Sequence, residues 1–168
     1  MGLYRELVKR HKEGEISFSN VAVYTLDEFY PIRRTEQQSR NFRIHDEFLK
    51  HIDIQPENVH IPDGTVSEAN ISEYCANYDK SIRKIDLMII GFGEQGQIGF
   101  NEQGSYAKST TRLVELSHNS RKMQSERFAG FESTSKMAIT MGIGTIMRAD
   151  KIVLMAWGED KATGVQQI

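Results

Sequence analysis

Ile85-Asp86-Leu87-Met88-Ile89-Ile90-Gly91-Phe92-Gly93-Glu94-Gln95-Gly96-Gln97-Ile98-Gly99-Phe100-Asn101-Glu102 decides how this chain folds. The apolar half, 85–90, reads as a buried parallel strand. Glycines at 91, 93 and 96 then let the backbone turn sharply and pass close to a ligand. In open α/β sheets ligands bind beyond the carboxyl ends of the strands, so the loop 91–102 is a candidate ligand site. Two amides, Gln95 and Gln97, stand where a catalytic loop more often carries groups that titrate. Gly91, Gly93 and Gly96 have the spacing of a dinucleotide fingerprint. The chain runs on as Ile98-Gly99-Phe100 instead of entering a helix, which argues against a nucleotide cofactor.

Outward from this loop, β-rich and helically periodic stretches alternate. Leu3 to about Glu13 has helical spacing of Leu3, Tyr4, Leu7 and Val8. Residues 21–26 read as a strand that ends at Asp27-Glu28. Thr35 is the expected cap of a helix through about His51, with Phe42, His45, Phe48 and Leu49 on one face. Residues 58–61 are a short extended piece before the turn Pro62-Asp63-Gly64. Ser67 is the expected cap of a helix with Ile71, Tyr74, Cys75, Tyr78 and Ile82 inward. Strands are expected at 111–116, 136–141 and 151–157, with a short helix from Ser120 to Phe128. Strands 21–26, 85–90, 111–116, 136–141 and 151–157 are therefore expected side by side, in a mostly parallel sheet with helices on both faces. Both ends read as cut: a helix opens the chain with no strand before it, and a second starts near Gly158-Glu159-Asp160 and stops at Ile168. The fold is thus expected to be incomplete at both ends, with a sheet edge and core face open to association into a homo-oligomer.

The 168 residues suffice for one domain with a real core. Charged residues make up 26% of the chain, net charge is −2, and no run of five like charges occurs, so neither nucleic acid nor a membrane is an expected partner. No apolar run approaches the length of a membrane span, and no signal peptide opens the chain. A single cysteine, Cys75, excludes an internal disulfide and fits a reducing cytoplasm. The five histidines have no metal-ligand spacing, so no metal is expected.

Asp27 and Glu28 close a predicted strand and face the crevice of the glycine loop. A partly desolvated carboxylate there can take a proton from carbon next to a carbonyl or imine, and strand-end acids equally cap a following helix. Glu102, after Asn101, can orient a base, bind a sugar hydroxyl, or be a surface charge. Gln95 and Gln97 donate and accept hydrogen bonds but do not shuttle protons near neutral pH. His118 lies in a polar loop. Arg112, Arg121 and Arg127 have the forked geometry that grips phosphate, or are solvated surface groups.

These residues bring the chain close to a known family. Leu26-Asp27-Glu28-Phe29, Ile52-Asp53-Ile54-Gln55-Pro56-Glu57-Asn58, the loop Gly91 to Glu102, Ser109-Thr110-Thr111-Arg112 and Met137 to Ile146 resemble, in order, segments of the glucosamine-6-phosphate deaminases, also called isomerases. The tail Ile98-Gly99-Phe100-Asn101-Glu102 resembles the deaminases rather than the related 6-phosphogluconolactonases, which share the earlier glycines. The resemblance implies a Rossmann-like α/β fold and no cofactor. It implies conversion of glucosamine 6-phosphate and water to fructose 6-phosphate and ammonia, so the expected partner is a small-molecule amino sugar phosphate.

Residue by residue, the resemblance makes Asp27 the acid that moves a proton between sugar carbons one and two, and Glu102 a support of the family's ring-opening histidine. The loop aspartate of the family is Gln95 here, and its ring-opening histidine is Gln97. Glu28, Gly91, Gly93, Gly96 and Asn101 fall in its substrate site. The phosphate arginine falls on Glu126, with Arg127 one place off. Ser105 and Arg112 match its allosteric segment, and a lysine position has become Val114. The family's phosphate loop belongs just before Gly2-Leu3-Tyr4. Two readings follow: an isomerase and deaminase of amino sugar phosphates impaired at Gln95 and Gln97, or a catalytically silent sugar-phosphate-binding or regulatory module.

Overall fold

The computed structural model describes residues 2–93 and 96–166. Its elements run α1 (Gly2–Lys12), β1 (Val23–Tyr24), β2 (Asp27–Tyr30), α2 (Arg40–Glu47), β3 (Val59–His60), α3 (Ile71–Ser81), β4 (Met88–Gly91), β5 (Arg112–Glu115), α4 (His118–Gln124), β6 (Met137–Thr140), α5 (Ile143–Ile146), β7 (Ile152–Met155) and α6 (Ala162–Gln166). The protein is α/β. Short 3₁₀ turns join several of these elements, among them Leu49–His51 and Ser125–Arg127.

The strands form three short ladders rather than one continuous sheet. β1 pairs with β3 and β4 with β7, both parallel. β6 lies between β2 and β5 and runs antiparallel to each. Thr140 on β6 is the register partner of Asp27 on one side and Arg112 on the other. The antiparallel ladder arises where the chain changes sheets at Thr25-Leu26. Thr25 N–H donates to His60 C=O in the first ladder, and Leu26 C=O accepts from Met141 N–H in the second.

Asp27-Glu28 was expected to end a strand and instead begins one. The physical reason is Glu28. It is 1% exposed, and its carboxylate accepts from the N–H groups of Phe29 (2.8 Å), Arg40 (2.9 Å) and Asn41 (2.9 Å) and from Ser39 Oγ (2.7 Å). A helix N-terminus supplies the donors that water would otherwise supply, so the strand continues through a charged residue into the core. Ser39, not Thr35, caps this helix, its Oγ accepting from Phe42 N–H. Thr35 belongs to the preceding turn, where Glu36 receives Arg33 N–H and Ser39 N–H donates to Glu36 C=O. The cap of α3 is Asn70 rather than Ser67, and α4 starts at His118, capped by Ser117.

α3 carries its expected inner face, with Ile71, Cys75 and Tyr78 buried and Ile82 buried just beyond its end. Phe29, Ala138, Ile139 and Met141 are fully enclosed on the central ladder. Asp79 bolts α3 to the rest. It accepts from Thr111 N–H (3.1 Å), Thr111 Oγ1 (2.9 Å) and Thr145 Oγ1, and pairs with Arg148 at 3.2 Å. Burial pushes this carboxyl up, but the hydrogen bonds and Arg148 outweigh it and hold the group below the usual aspartate value.

β4 was expected to be buried on both faces. Met88 and Ile90 are buried, but Leu87 and Ile89 are 52% and 39% exposed, and on β7 Ile152, Val153 and Leu154 are 38%, 45% and 37% exposed. Leu87, Ile89 and Val153 share one face of this ladder, while Ile152 and Leu154 lie on the other beside Met88 and Ile90, and an apolar sheet face of the first kind drives association. The chain is expected to elute from a sizing column as species larger than a monomer at micromolar concentration, and Val153→Lys should shift it toward the monomer. A single monomer peak across that range would contradict the expectation.

Candidate functional site

Asp27 opens β2 with its side chain 14% exposed, and its Oδ1 lies 3.1 Å from Nε of Arg40. Arg40 is the first residue of α2, so the Glu28–Ser39 cap that seats the helix also seats this arginine. Its guanidinium lies 5.0 Å from the centre of the Phe29 ring and 5.7 Å from that of Phe100, each within cation–π range. The Asp27 contact is an ion pair by distance only. The buried Nε has no aligned hydrogen-bond acceptor among the described residues.

The glycine loop meets this pair through its second half. Gly99 has φ of +59°, and a Cβ there would meet Leu26 Cδ2 at 2.8 Å and Thr140 Oγ1 at 3.1 Å. Phe100 N–H donates to Thr140 Oγ1 at 3.3 Å. The turn 98–101 is therefore docked beside Asp27, the register partner of Thr140. The first half is a tight turn: Gly93 N–H donates to Gln97 C=O at 2.9 Å and Gly96 N–H to Gly93 C=O at 3.0 Å. A Cβ on Gly93 would sit 2.2–2.6 Å from the Gln97 side-chain amide, so the Gln97 side chain packs directly over this glycine. The Gln97 amide also reaches Met123 Sδ on α4 at 3.8 Å. Gln95 lies outside the described residues. Gly91 ends β4 with open space where a Cβ would be.

Two residues expected to touch substrate are occupied otherwise. Glu28 has its carboxylate spent on the α2 cap. Asn101 is 4% exposed; its Nδ2 donates to the carbonyls of Ile98 (3.0 Å) and Met141 (2.7 Å), and its Oδ1 accepts from Arg112 at 3.0 Å. It pins the loop to the central ladder. Arg112 also donates to Ser105 Oγ at 3.3 Å, so these two residues are brought together with Asn101. Glu102 follows, its Oε1 accepting from Ser117 N–H at 3.2 Å. Gln97 and Glu102 thus both abut α4. Among the described residues no group of three or more histidine, cysteine, aspartate or glutamate side chains is placed to hold a metal.

α4 runs into the turn that carries Arg127. The next residue, Phe128, packs edge-on against Phe29 at 5.0 Å, the ring under Arg40. Arg127 is exposed, and its guanidinium is lowered from the ordinary arginine value, first by desolvation and then by the charges of Arg40 and Arg43, against Asp27 and Glu47. Arg43 pairs with Glu47 at 3.1 Å. Tyr4 of α1, stacked on Phe48 at 5.0 Å, feels the same groups: burial first and then Glu47 raise its phenol. Arg40, Arg43, Glu47 and Tyr4 were not among the expected site residues. The signal that could have found the two arginines is Ser39-Arg40-x-x-Arg43, a cap followed by two cations one turn apart on one helix face.

A fold of this build, with the glycine loop between a parallel pair and an antiparallel ladder, has close counterparts. The family described as glucosamine-6-phosphate isomerases/6-phosphogluconolactonase matches residues 1–168. A glucosamine-6-phosphate deaminase of Treponema denticola is 41% identical over 99% of the chain. The solved structure of a monomeric glucosamine-6-phosphate deaminase superposes with a TM-score of 0.94 at 33% identity, covering 99% of the chain. The 6-phosphogluconolactonase of Thermotoga maritima shares the fold at a TM-score of 0.75 with 17% identity, again over 99% of the chain and 69% of its own length. The chain belongs to the glucosamine-6-phosphate isomerase/6-phosphogluconolactonase family, and its sequence lies nearer the deaminases. It spans 63% of the Treponema relative and 69% of the monomeric deaminase.

Proposed function

We propose that the crevice around Asp27 is a sugar-phosphate site acting on glucosamine 6-phosphate, with slow turnover. Asp27 takes the proton from carbon two of the open-chain sugar and returns it to carbon one. Water then attacks the resulting imine, releasing ammonia and fructose 6-phosphate. What carries the reading is the position of Asp27: a largely enclosed carboxylate beside the turn 98–101, facing the cationic groups Arg40 and Arg127. Arg127, one place from the arginine expected by resemblance, is the phosphate contact, and Glu102 orients the loop against α4. Gln97 holds the sugar but moves no proton, so ring opening is left to solvent. The Gln97 amide also favours a second reading, in which the site binds sugar phosphates without turning them over.

Exchange of the carbon-two hydrogen of glucosamine 6-phosphate in D₂O, followed by NMR, tests the role of Asp27 apart from ring closure and ammonia release. Exchange is expected with the protein and should fall on the order of 10²-fold or more in Asp27→Asn. Binding without any exchange would select the silent module. Equal exchange in the variant would remove Asp27 from the chemistry.

A further inference from the structure

The central ladder has two faces, and the Asp27 crevice uses one of them. Phe29, on the same side of β2 as Asp27, packs with Phe100 and Phe128. Tyr30 points to the opposite side, toward Ile71 and Cys75 of α3, because neighbouring residues in a strand alternate. At its far end this second face holds an open cavity of about 580 Å³. Its floor is one row across the ladder, with Tyr30 opposite Met137 and Met137 opposite Glu115. Directly opposite residues keep their Cβ atoms about 5 Å apart, so the row is roughly 10 Å wide. It lies about 10 Å along the strands from the row that contains Asp27, Thr140 and Arg112. The cavity is thus separate from the crevice in both face and level. Pro31 and the turn 133–136 complete its lining. The turn is firmly held: Thr134 is 2% exposed, its Oγ1 donates to Gly130 C=O at 3.0 Å, and Arg121 donates to the carbonyls of Phe131 and Thr134 at 3.0 and 3.4 Å.

The Tyr30 hydroxyl is engaged, donating to Val66 C=O at 2.8 Å, so this residue offers the cavity its ring. Glu115, Ser133, Ser135 and Lys136 differ. Among the described residues their side chains make no hydrogen bond or ion pair, so Glu115 and Lys136 do not neutralise each other. Such a lining suits one kind of ligand. The apolar floor takes a short carbon skeleton, Lys136 and the serine hydroxyls donate to an oxyanion, and Glu115 accepts from an ammonium group. A ligand with a single charge satisfies one side and leaves the other unpaired. We propose that this cavity binds a small zwitterion, with an ammonium group and an oxyanion on one skeleton. A free amino acid and an amino sugar phosphate both have this chemistry. The site stands apart from the sugar-phosphate reading of the Asp27 crevice and does not depend on it.

Isotope-labelled methionine methyl groups, read by NMR, separate the two sites. Met137 lines the cavity, and Met123 touches the Gln97 amide on the crevice side. The zwitterionic probes are L-serine and glucosamine 6-phosphate. N-acetyl-L-serine and glucose 6-phosphate lack the ammonium group, and L-serine methyl ester and glucosamine lack the oxyanion. At least one zwitterion should shift the Met137 signal saturably, binding about tenfold or more tighter than its two single-charge counterparts, the scale of one charge-assisted hydrogen bond. A response to serine alone assigns a free amino acid, to glucosamine 6-phosphate alone an amino sugar phosphate, and to both a site that reads only the two charges. Glu115→Gln and Lys136→Gln should each weaken that response about tenfold or more, while any Met123 response to glucosamine 6-phosphate stays. Both residues are exposed, so neither change reaches the core. A Met137 signal that neither zwitterion moves overturns the inference, as does a response that the single-charge counterparts match. A shift of Met123 under glucosamine 6-phosphate with Met137 unmoved overturns it while leaving the Asp27 reading intact.

Discussion

Ammonia release from glucosamine 6-phosphate should rise on the order of 10²-fold when Gln95→Asp and Gln97→His are introduced together, from a starting rate that is very low. The expectation follows from what an amide can do. Ring opening needs a proton delivered to the ring oxygen and another taken from the anomeric hydroxyl, and Gln97 can do neither near neutral pH. Its amide occupies the space beneath Gly93 and reaches Met123. A histidine at 97 enters a place already kept clear by a glycine, between the loop and α4. Neither substitution alone should restore the rate, because a ring-opening histidine needs a carboxylate to hold its tautomer and charge. The rate of anomer exchange, read by NMR, should rise in parallel with ammonia release. Turnover by the unaltered protein within about tenfold of the Treponema deaminase would show that the glutamines are tolerated.

The parts of this fold that could be read from sequence are those where burial follows a simple period. α3 has apolar residues every third or fourth position, and its expected inner face is the buried one. The glycine loop was legible as a sharp turn, and Gly96 takes the positive φ of 76° that such a turn needs. Glu28 was misread for a general reason. A charged residue at the end of an apolar run signals an exit to solvent unless a helix N-terminus, distant by eleven residues or more, turns its donors toward it. The start of α2 was separately expected at Thr35, where the structure has it at Arg40. Arg40 and Arg43 then disappeared into the middle of a longer helix, and the cationic side of the crevice was lost with them. Asn101, placed in the substrate site by resemblance, has its amide bonded to two backbone carbonyls and Arg112, partners that no sequence pattern announces. β4 was read as buried because a continuous apolar run does not say how many of its faces are covered.

Glu28→Ala should destabilise the protein by about 3–5 kcal/mol, a large part of the roughly 5–15 kcal/mol that holds a typical domain. Four donors converge on this carboxylate, and truncation strands Ser39 Oγ and the N–H groups of Phe29, Arg40 and Asn41. The helix start that seats Arg40 against Asp27 should loosen with it, so ligand binding should weaken as well. The pH dependence has a definite sign. Burial, partly opposed by the hydrogen bonds from Asn41, Ser39, Arg40 and Phe29, raises the Glu28 carboxyl above the ordinary value of 4.5. A group raised in the folded state gives its full contribution below the unfolded pKa and loses it as pH rises through the folded one. Glu28→Gln, which carries a neutral amide at every pH, has no such dependence. The stability advantage of the unaltered protein over Glu28→Gln should therefore shrink as pH rises from below 4.5 toward neutrality, as read by urea unfolding of both proteins across that range. An advantage that grows with pH would mean that the cap lowers this carboxyl, and that the α2 N-terminus outweighs the cost of burying its charge.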